Sequence, residues 1–494
     1  MSLLPAVKLW IWVSVLASLA GWSLSALGAL TRLGYVVFGF AAAAVFLAGR
    51  KAFGWEAPVG WFNWRRLQRR FRRWLPASFA LLSLLVFLGG ALYPPSNHAG
   101  FTYRTPRVLH WLMAGHWHWI HTPDYRMNDR ACGFEWLTAP LILFTKTDRA
   151  LFLINFLSFL LLPGLTFSVF TRLGVRPRAA WYWMWLLPTG YSFLLQAGST
   201  ANDTFPTVYA LAAVDFGLRA WGRDASPRRP PSASHGRLGE ASLPSRRASD
   251  LWLSILAAGL LTGAKASNLT LLLPWAIVVA PSLPVLLRRP LATAGVVLLA
   301  GAVSFLPSAA LNVRYCGDWS GLSLEKQGMD MKNPLVGVWG NALLLLKNFV
   351  PPFFPLAGKW NASALTVLPR AVVEPMKANF EPGFHRWDSL AQLRATLPKE
   401  LRVVGFLGHG DDVDISLWRP FFSRRVEHIL LQDTPEQIRQ RHIEYIVVSG
   451  GYLAGSGMQL AEWLQRTGAE VLGKATVTQT VTRGPQPWYV VRLR

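Results

Sequence analysis

The polar segment from Tyr93 to Glu135 concentrates side chains that could do chemistry between two long apolar stretches of this 494-residue chain. Five of the ten histidines fall in it, together with several tryptophans, arginines and the carboxylates Asp124, Asp129 and Glu135. Transfer of a glycosyl or acyl group to a hydroxyl needs a base that accepts the hydroxyl proton, and each of these carboxylates could be that base. The alternative is that they form ordinary surface ion pairs with neighbouring arginines, which contribute little.

Three cations are placed to bind a phosphate near this segment. Arg104 and Arg107 lie within it, and Lys265 lies near the outer end of a later apolar stretch. Guanidinium groups match phosphate oxygens well, whereas a lone lysine in such a place often only reaches for the interface. We predict that these three bind a donor phosphate, with Tyr103, His98 and Asp203 as the supporting residues. Asp203 has the alternative of simply capping a helix.

The remaining polar groups do not predict a metal site. His116, His118 and His121 are close together, but no Cys, Asp or Glu stands at a recognisable zinc spacing beside them. We therefore predict neither a metal nor another cofactor, and a divalent cation stays open. Cys132 and Cys316 both fall in predicted outer loops, where a disulfide is permitted, although two free thiols are favoured.

The elements that must position these residues are membrane helices. The chain is 52% hydrophobic and only 15% charged, whereas soluble domains average about 25% charged residues. Apolar stretches near the length of a span predict an α-helical polytopic membrane protein with about nine to ten transmembrane helices. The predicted spans are 9–29, 33–49, 76–93, 148–170, 179–197, 204–221, 251–266, 268–287 and 291–312.

The net charge of +24 is concentrated in the loops on one side of these spans. This bias predicts a cytoplasmic N-terminus and an outer position for the polar segment, and it favours contact with membrane lipids. Nucleic acid is not a predicted partner, because the basic residues are not interleaved with stacking aromatics on a soluble domain.

Two domains are predicted, at 1–360 and 369–494. The transmembrane domain would carry outer loops at 94–147 and 313–340 and a disordered cytoplasmic linker at 222–250, which is rich in Ser, Pro and Arg. Shorter segments predict a basic amphipathic helix at 61–74, a re-entrant or interfacial helix at 135–146, and at 339–355 an interfacial helix rather than a tenth span. With nine spans the C-terminal domain lies outside the cytoplasm, and with ten it is cytoplasmic.

The second domain has the pattern of a small α/β fold with a partly parallel sheet. Strands are predicted at 401–407, 426–431, 443–449 and 488–493, and helices at 434–442 and 458–468, the latter ending at a Gly. The sequence GHGDDVD (408–414) follows the first strand. It could bind a cation or a phosphate, but it lacks an ordered glycine spacing, and a solvated turn is the default.

Short motifs over most of the chain resemble a known family. They are SNHAGFTYRTPRVLHWLMAGHW (96–117), RMNDRACGFEWL (126–137), GSTANDTF (198–205), LLTGAKASNLTLLLP (260–274), LNVRYCGDWSG (311–321) and GFLGHGDDVDISLWRPF (405–421). These stretches resemble the polyprenyl-phosphate-dependent glycosyltransferases of the GT-C class, which include the protein-mannosyltransferase-like and aminoarabinose-transferase-like groups. The resemblance implies a bacterial inner-membrane protein of the cell envelope whose outer cavity binds a sugar linked to a lipid phosphate.

The resemblance also implies an aspartate base in the first outer loop, in the pattern Asp-x-x-x-Tyr-x-x-x-Arg, and inversion at the anomeric carbon. Tyr103 and Arg107 keep this spacing, whereas Ala99 occupies the acidic position and cannot accept a proton. A second departure is length, because such proteins usually carry further spans before the C-terminal domain.

The sequence thus predicts a glycosyltransferase that moves a sugar from a polyprenyl-phosphate donor to an unknown acceptor on the extracytoplasmic face. The alternatives are a catalytically inactive protein that binds the lipid-linked sugar, which Ala99 favours, and a transporter, which would place ionisable residues near mid-membrane. The enzymatic interpretation requires the polar segment and the end of the seventh predicted span to share one pocket.

Overall fold

The helical domain is built from apolar helices of unequal length. The computed structural model describes residues 3–49, 64–222, 243–324, 334–349, 363, 366–377, 388–479 and 484–493. Its first α-helices are α1 (Leu4–Ala26), α2 (Arg32–Gly49), α3 (Trp64–Phe71), α4 (Trp74–Leu92), α5 (Thr105–Ala114), α6 (Arg126–Asp129), α7 (Gly133–Thr145), α8 (Phe152–Arg172) and α9 (Pro177–Leu186). They are followed by α10 (Tyr191–Ala197), α11 (Thr207–Ala220), α12 (Leu243–Ala264), α13 (Leu272–Val279), α14 (Leu283–Leu287), α15 (Pro290–Val303), α16 (Leu306–Cys316) and α17 (Pro334–Phe349). Gly100–Arg104 is a π-helical turn, and Ala266–Leu271, Ala280–Ser282 and Leu322–Leu324 are 3₁₀ turns.

Every predicted span contains helix, which confirms a helical, multi-pass membrane protein. In the described part of the chain, four spans are long and apolar enough to cross a membrane: Leu4–Ala26, Trp74–Leu92, Phe152–Arg172 and Ala266–Leu287. A fifth is reached if α15 and α16, bent by 53°, form one span. The predicted number of about nine to ten is higher than this, because several predicted spans are shorter or interrupted. The span at 179–197, for example, is broken around Pro188, where α9 stops and α10 has not begun.

The shorter predicted segments have mixed outcomes. Helix α3 lies in the basic stretch at 61–74, and α7 covers the interfacial helix at 135–146. The linker prediction is wrong at its end: α12 already begins at Leu243, because Ala248 and Leu251 are buried in the helical core. Residues 223–242 of the linker, and the last residues of 339–355, lie outside the described ranges. The boundaries of the two domains stay a prediction.

The C-terminal domain contains the predicted small α/β fold. Its helices are α18 (Arg370–Lys377), α19 (Ala391–Ala395), α20 (Pro435–Gln440), α21 (Gly450–Gly455) and α22 (Leu460–Thr467), and its strands are β1 (Val403–Leu407), β2 (Arg425–His428), β3 (Tyr445–Ser449), β4 (Ala469–Val477) and β5 (Gln486–Leu493). The strand order is β2-β1-β3-β5-β4. β1 runs parallel to β2 and β3, whereas β5 is antiparallel to β3 and β4. The partly parallel sheet that was predicted is therefore present.

The polar segment and the C-terminal sheet share one hydrophobic core. Phe101, Trp111 and Trp136 are buried in the same cluster as Phe406 and Trp418. A second cluster fills the interior of the helical domain, and a third covers the other face of the sheet. Burial of such large aromatic side chains is a strong apolar contribution to docking. The sheet is therefore packed directly against the residues that could do chemistry.

Candidate functional site

Helix α5 turns the polar segment towards the interior. The π-helical turn leads into α5, which has a proline in its first turn and ends at Gly115. Tyr103 and Arg104 in the turn and Arg107 in α5 are buried, with only 8%, 7% and 0% of their surfaces exposed. Buried guanidinium groups need paired acceptors, since an uncompensated charge in the interior is very costly.

Glu135 supplies the negative charge for both arginines. Its Oε1 lies 2.7 Å from Nη1 of Arg104 and 2.6 Å from Nη2 of Arg107, and the Glu135 side chain is fully buried. Arg107 also donates to the carbonyl oxygens of Arg130 and Ala131, at 3.1 and 2.7 Å. The predicted base Glu135 and the predicted phosphate ligands Arg104 and Arg107 therefore form one buried ion cluster. Their roles in catalysis and phosphate binding stay predictions.

The same cluster reaches the end of α12. Arg104 donates to Oδ1 of Asn202 at 2.6 Å, and Nδ2 of Asn202 donates to the carbonyl oxygen of Ala264 at 2.8 Å. The polar segment and the end of the seventh predicted span therefore lie on the same side of the helical domain, as expected. The two regions meet through the hydrogen bonds of Arg104 and Asn202.

Lys265 and Asp203 flank this contact and face outwards. The ammonium group of Lys265 lies 2.5 Å from Oδ1 of Asp203, and the two side chains are 40% and 54% exposed. Partial burial alone would raise the pKa of Asp203, but the charge and hydrogen bond of Lys265, together with Arg104 and Gln196, outweigh it and lower that pKa. Asp203 is therefore ionised at neutral pH and accessible, and Lys265 keeps further N–H donors.

Asp124 is held by Arg126, which also binds the C-terminal domain. Arg126 donates to both oxygens of Asp124, at 2.8 and 3.1 Å, and to Oδ1 of Asp411 at 2.6 Å. His98 lies 3.6 Å from the same oxygen of Asp411, and together with Arg126 it keeps the pKa of Asp411 below its usual range. The GHGDDVD loop is thus a docked contact rather than a solvated turn. Asp411 and His98 are only partly exposed, and Asp124 is buried.

Asp129 is buried against the loop that follows α16. Nδ2 of Asn312 donates to the Asp129 carbonyl oxygen at 3.0 Å, and the nearest cation, Nε of Arg130, is 3.6 Å from the Asp129 carboxylate. A side chain at Gly321, whose φ is +73°, would overlap Asp129, so this close approach requires glycine. Burial raises the pKa of Asp129 to about 6. The described part of the outer loop at 313–340 is therefore beside the polar segment, as predicted.

Histidines join the polar segment to the sheet. Oγ1 of Thr122 lies 2.7 Å from Nδ1 of His428, whose Nε2 lies 3.1 Å from Asp414. His110 packs edge-on against Trp418 at 4.8 Å, and burial, followed by the neighbouring His428, holds the pKa of His110 well below its usual value. Sequence reasoning missed these partners, and the only signal was the acidic loop after the first strand.

In the part of the chain that the structure describes, no group of three or more His, Cys, Asp or Glu side chains is placed to hold a metal ion. His121 pairs with Asp433 at 3.1 Å, while the rings of His116 and His118 lie 5.6 Å apart. Cys132 and Cys316 are free thiols, and burial raises the pKa of Cys132 to about 11.

Comparisons with known proteins give only distant similarity. No protein-family model matches the chain, and no curated protein matches it. Among solved structures, the crystal structure of ArnT from Cupriavidus metallidurans bound to undecaprenyl phosphate is similar at 12% identity and a TM-score of 0.40, over 84% of this chain and 97% of that chain. The apo state of the same protein has a TM-score of 0.39 at 12% identity, with the same coverage. Similarity at this level assigns no activity and no residue role to this chain.

Proposed function

We propose that this protein is a membrane glycosyltransferase that moves a sugar from a polyprenyl-phosphate donor to an acceptor hydroxyl at the Lys265–Asp203 pair. The observation that carries the proposal is exposure. Asp203 is 54% exposed beside a lysine ammonium group, whereas Asp124, Asp129 and Glu135 are at most 4% exposed. The donor class is the one implied by the resemblance of the sequence motifs to polyprenyl-phosphate-dependent glycosyltransferases, and two of these motifs contain Asp203 and Lys265.

The pair has the two groups that the reaction needs. Lys265 would bind the donor phosphate with the N–H donors that Asp203 does not occupy, and it would stabilise the negative charge that develops on the leaving phosphate. Asp203 would accept the proton of the acceptor hydroxyl as its oxygen bonds to the anomeric carbon. The bond between that carbon and the phosphate oxygen breaks, and polyprenyl phosphate leaves.

The buried network beside the pair would act as its scaffold. Asn202 and Ala264 directly precede Asp203 and Lys265, and they are joined by the 2.8 Å hydrogen bond described above. Arg104 fixes Asn202, and Glu135 neutralises Arg104. A reacting pair is most effective when its supporting residues are rigid. In this proposal Arg104, Arg107 and Glu135 are positioning residues rather than ligands of the substrate.

A second candidate is a protein that binds the lipid-linked sugar without transferring it. Ala99 favours this function, because the position at which the resemblance implies a base has no proton acceptor. Ala99 directly precedes the π-helical turn that carries Tyr103 and Arg104. In this case Lys265 would still bind the phosphate, and Asp203 would only orient Lys265.

Transfer and binding assays on the purified full-length protein separate the two functions. Radiolabelled polyprenyl-phosphate sugars are incubated with the native chain, with Asp203→Asn and with Asp318→Asn, which changes a partly exposed carboxylate in the loop that follows α16. Transfer by the native chain that falls about a hundredfold or more in Asp203→Asn, and is kept in Asp318→Asn, supports the proposal. Equal transfer by native protein and Asp203→Asn refutes it.

The second candidate gives a different pattern in the same assays. The native chain then retains the donor on a filter but transfers nothing, Lys265→Met lowers donor retention, and Ala99→Asp gains transfer. Failure of the native chain to retain any polyprenyl-phosphate sugar contradicts both functions.

A further inference from the structure

A cleft at the opposite, arginine-rich end of the helical domain has the chemistry of an anion site. It lies between the start of α4, the end of α8 and the start of α9, and its volume is about 670 Å³. Arg73 and Arg178 line it together with Trp74, Trp181, Tyr182 and Phe167. The arginines bring positive charge, and the aromatic rings bring flat apolar surface.

A tryptophan ring positions Arg73, one of the two arginines that line this cleft. The guanidinium of Arg73 lies 5.4 Å from the ring centroid of Trp181, and that of Arg70 lies 5.6 Å from the same ring. A cation above a ring is oriented by it, while its N–H groups stay available at the edges. Because Arg73 also lines the cleft, its N–H groups are placed to donate to an anion bound there.

No carboxylate of the described residues compensates the charge of the cleft. Among the described residues, no carboxylate lies within the 4.0 Å ion-pair distance of Arg73 or Arg178. Both side chains are exposed. By contrast, the buried Arg172 and the neighbouring Arg219 lie 3.1 and 2.7 Å from Asp215. The chain thus pairs some arginines at this end and leaves those of the cleft open.

The position of the cleft in the helical domain indicates whether its anion would be part of a lipid. Trp74 is the first residue of the Trp74–Leu92 span, and Phe167 lies one turn before the end of the Phe152–Arg172 span. The cleft is therefore at the level where a span meets the headgroup layer, and Trp74 and Tyr182, which are 68% and 42% exposed, suit that layer. The apolar side of the cleft, at Leu75 and Phe167, would contact an acyl chain.

We propose that this cleft binds the phosphate headgroup of an anionic phospholipid between Arg73 and Arg178. The phosphate oxygens accept hydrogen bonds from the two guanidinium groups, and the first part of an acyl chain lies along Leu75 and Phe167. The site is separate from the Lys265–Asp203 pair, and it does not depend on the reaction proposed there.

Native mass spectrometry of the full-length protein tests this site. The protein is released from detergent in the presence of phosphatidylglycerol or phosphatidylcholine, and bound lipid is counted. The native chain is expected to retain phosphatidylglycerol preferentially. The double variant Arg73→Ala/Arg178→Ala should lose about tenfold or more of that binding, since charge-assisted hydrogen bonds to phosphate are lost. The matched control Arg288→Ala/Arg289→Ala removes two exposed arginines from another loop at this end and should bind as the native chain does.

A second variant keeps both charges. Trp181→Leu removes the ring on which Arg73 stacks, so it should weaken phosphatidylglycerol binding several-fold while the protein stays monodisperse. The proposal is overturned if the double arginine variant binds like the native chain, if the control pair loses as much, or if phosphatidylcholine binds equally well. Displacement of the lipid by millimolar inorganic phosphate assigns the cleft to free phosphate instead and overturns the lipid source.

Discussion

The buried carboxylate of Glu135 should contribute strongly to the stability of the fold. Glu135→Gln removes the negative charge that lies 2.7 and 2.6 Å from two buried guanidinium groups. Breaking a buried ion pair by removing one partner costs about 3–5 kcal/mol, because the remaining charge is left uncompensated. Arg104 keeps its bonds to Tyr103 and Asn202, so we expect a loss near the lower limit, about 3 kcal/mol.

The control is the same substitution in an exposed pair. Glu444 lies 2.6 Å from Arg492, and the two side chains are 50% and 48% exposed. Glu444→Gln should cost only about 0–1 kcal/mol. High salt should weaken the effect of Glu444→Gln further, whereas the effect of Glu135→Gln should not change, because the buried cluster is shielded from counterions.

The measurement is the midpoint of thermal and denaturant unfolding of the detergent-solubilised protein. Unfolding is monitored by tryptophan fluorescence and by the fraction of protein that stays monodisperse after heating. Glu135→Gln should unfold well before the native protein, and Glu444→Gln should unfold with it. Equal midpoints for the two variants would mean that Glu135 is not the counter-charge of the arginines, and the scaffold proposed for the Lys265–Asp203 pair would fail with it.

Three further predictions concern pH, a helix start and a helix–helix contact. Burial raises the pKa of Asp129 to about 6, so between about pH 4 and 6 the folded state holds a proton that the unfolded chain has lost. The free energy of unfolding should therefore fall by up to about 3 kcal/mol as the pH rises from about 4 to 6. In Asp129→Asn the unfolding midpoint should lack this fall. Thr434→Ala removes a capping box with Gln437 and should cost about 1 kcal/mol in urea unfolding, and an unchanged midpoint would contradict the cap. A side chain in Gly263→Ala would overlap the carbonyl oxygen of Val303, so α12 and α15 should separate at a cost of about 1–3 kcal/mol, visible as a lower thermal midpoint.

Much of the C-terminal domain is readable from the sequence because its strands carry strong apolar patterns. The predicted strands at 401–407 and 443–449 contain β1 and β3, whose interior residues are fully buried. Gly468 ends α22, as predicted, and adopts the left-handed conformation. β4 was missed because it is an edge strand with a bulge near Gly473 and mostly exposed residues, so it has no clear period.

The candidate site could be predicted only in part, for a different physical reason. Composition alone identified the polar segment, but the partners that define each charge come from distant parts of the chain. Arg126 meets Asp411 across 285 residues, and His121 meets Asp433 across 312. No periodicity encodes such pairs, since they depend on how the sheet docks. For the same reason, the sequence did not reveal that Arg104 and Arg107 share the carboxylate of Glu135.

The shared core of the polar segment and the sheet has a consequence for how the chain is threaded through the bilayer. Trp111 and Trp418 can belong to one cluster only if both are on the same side. The polypeptide between the end of α7, at Thr145, and Leu390 must therefore return to the side it left, which requires an even number of crossings. Six predicted spans between them satisfy this parity, and one additional crossing in 339–355 would break it.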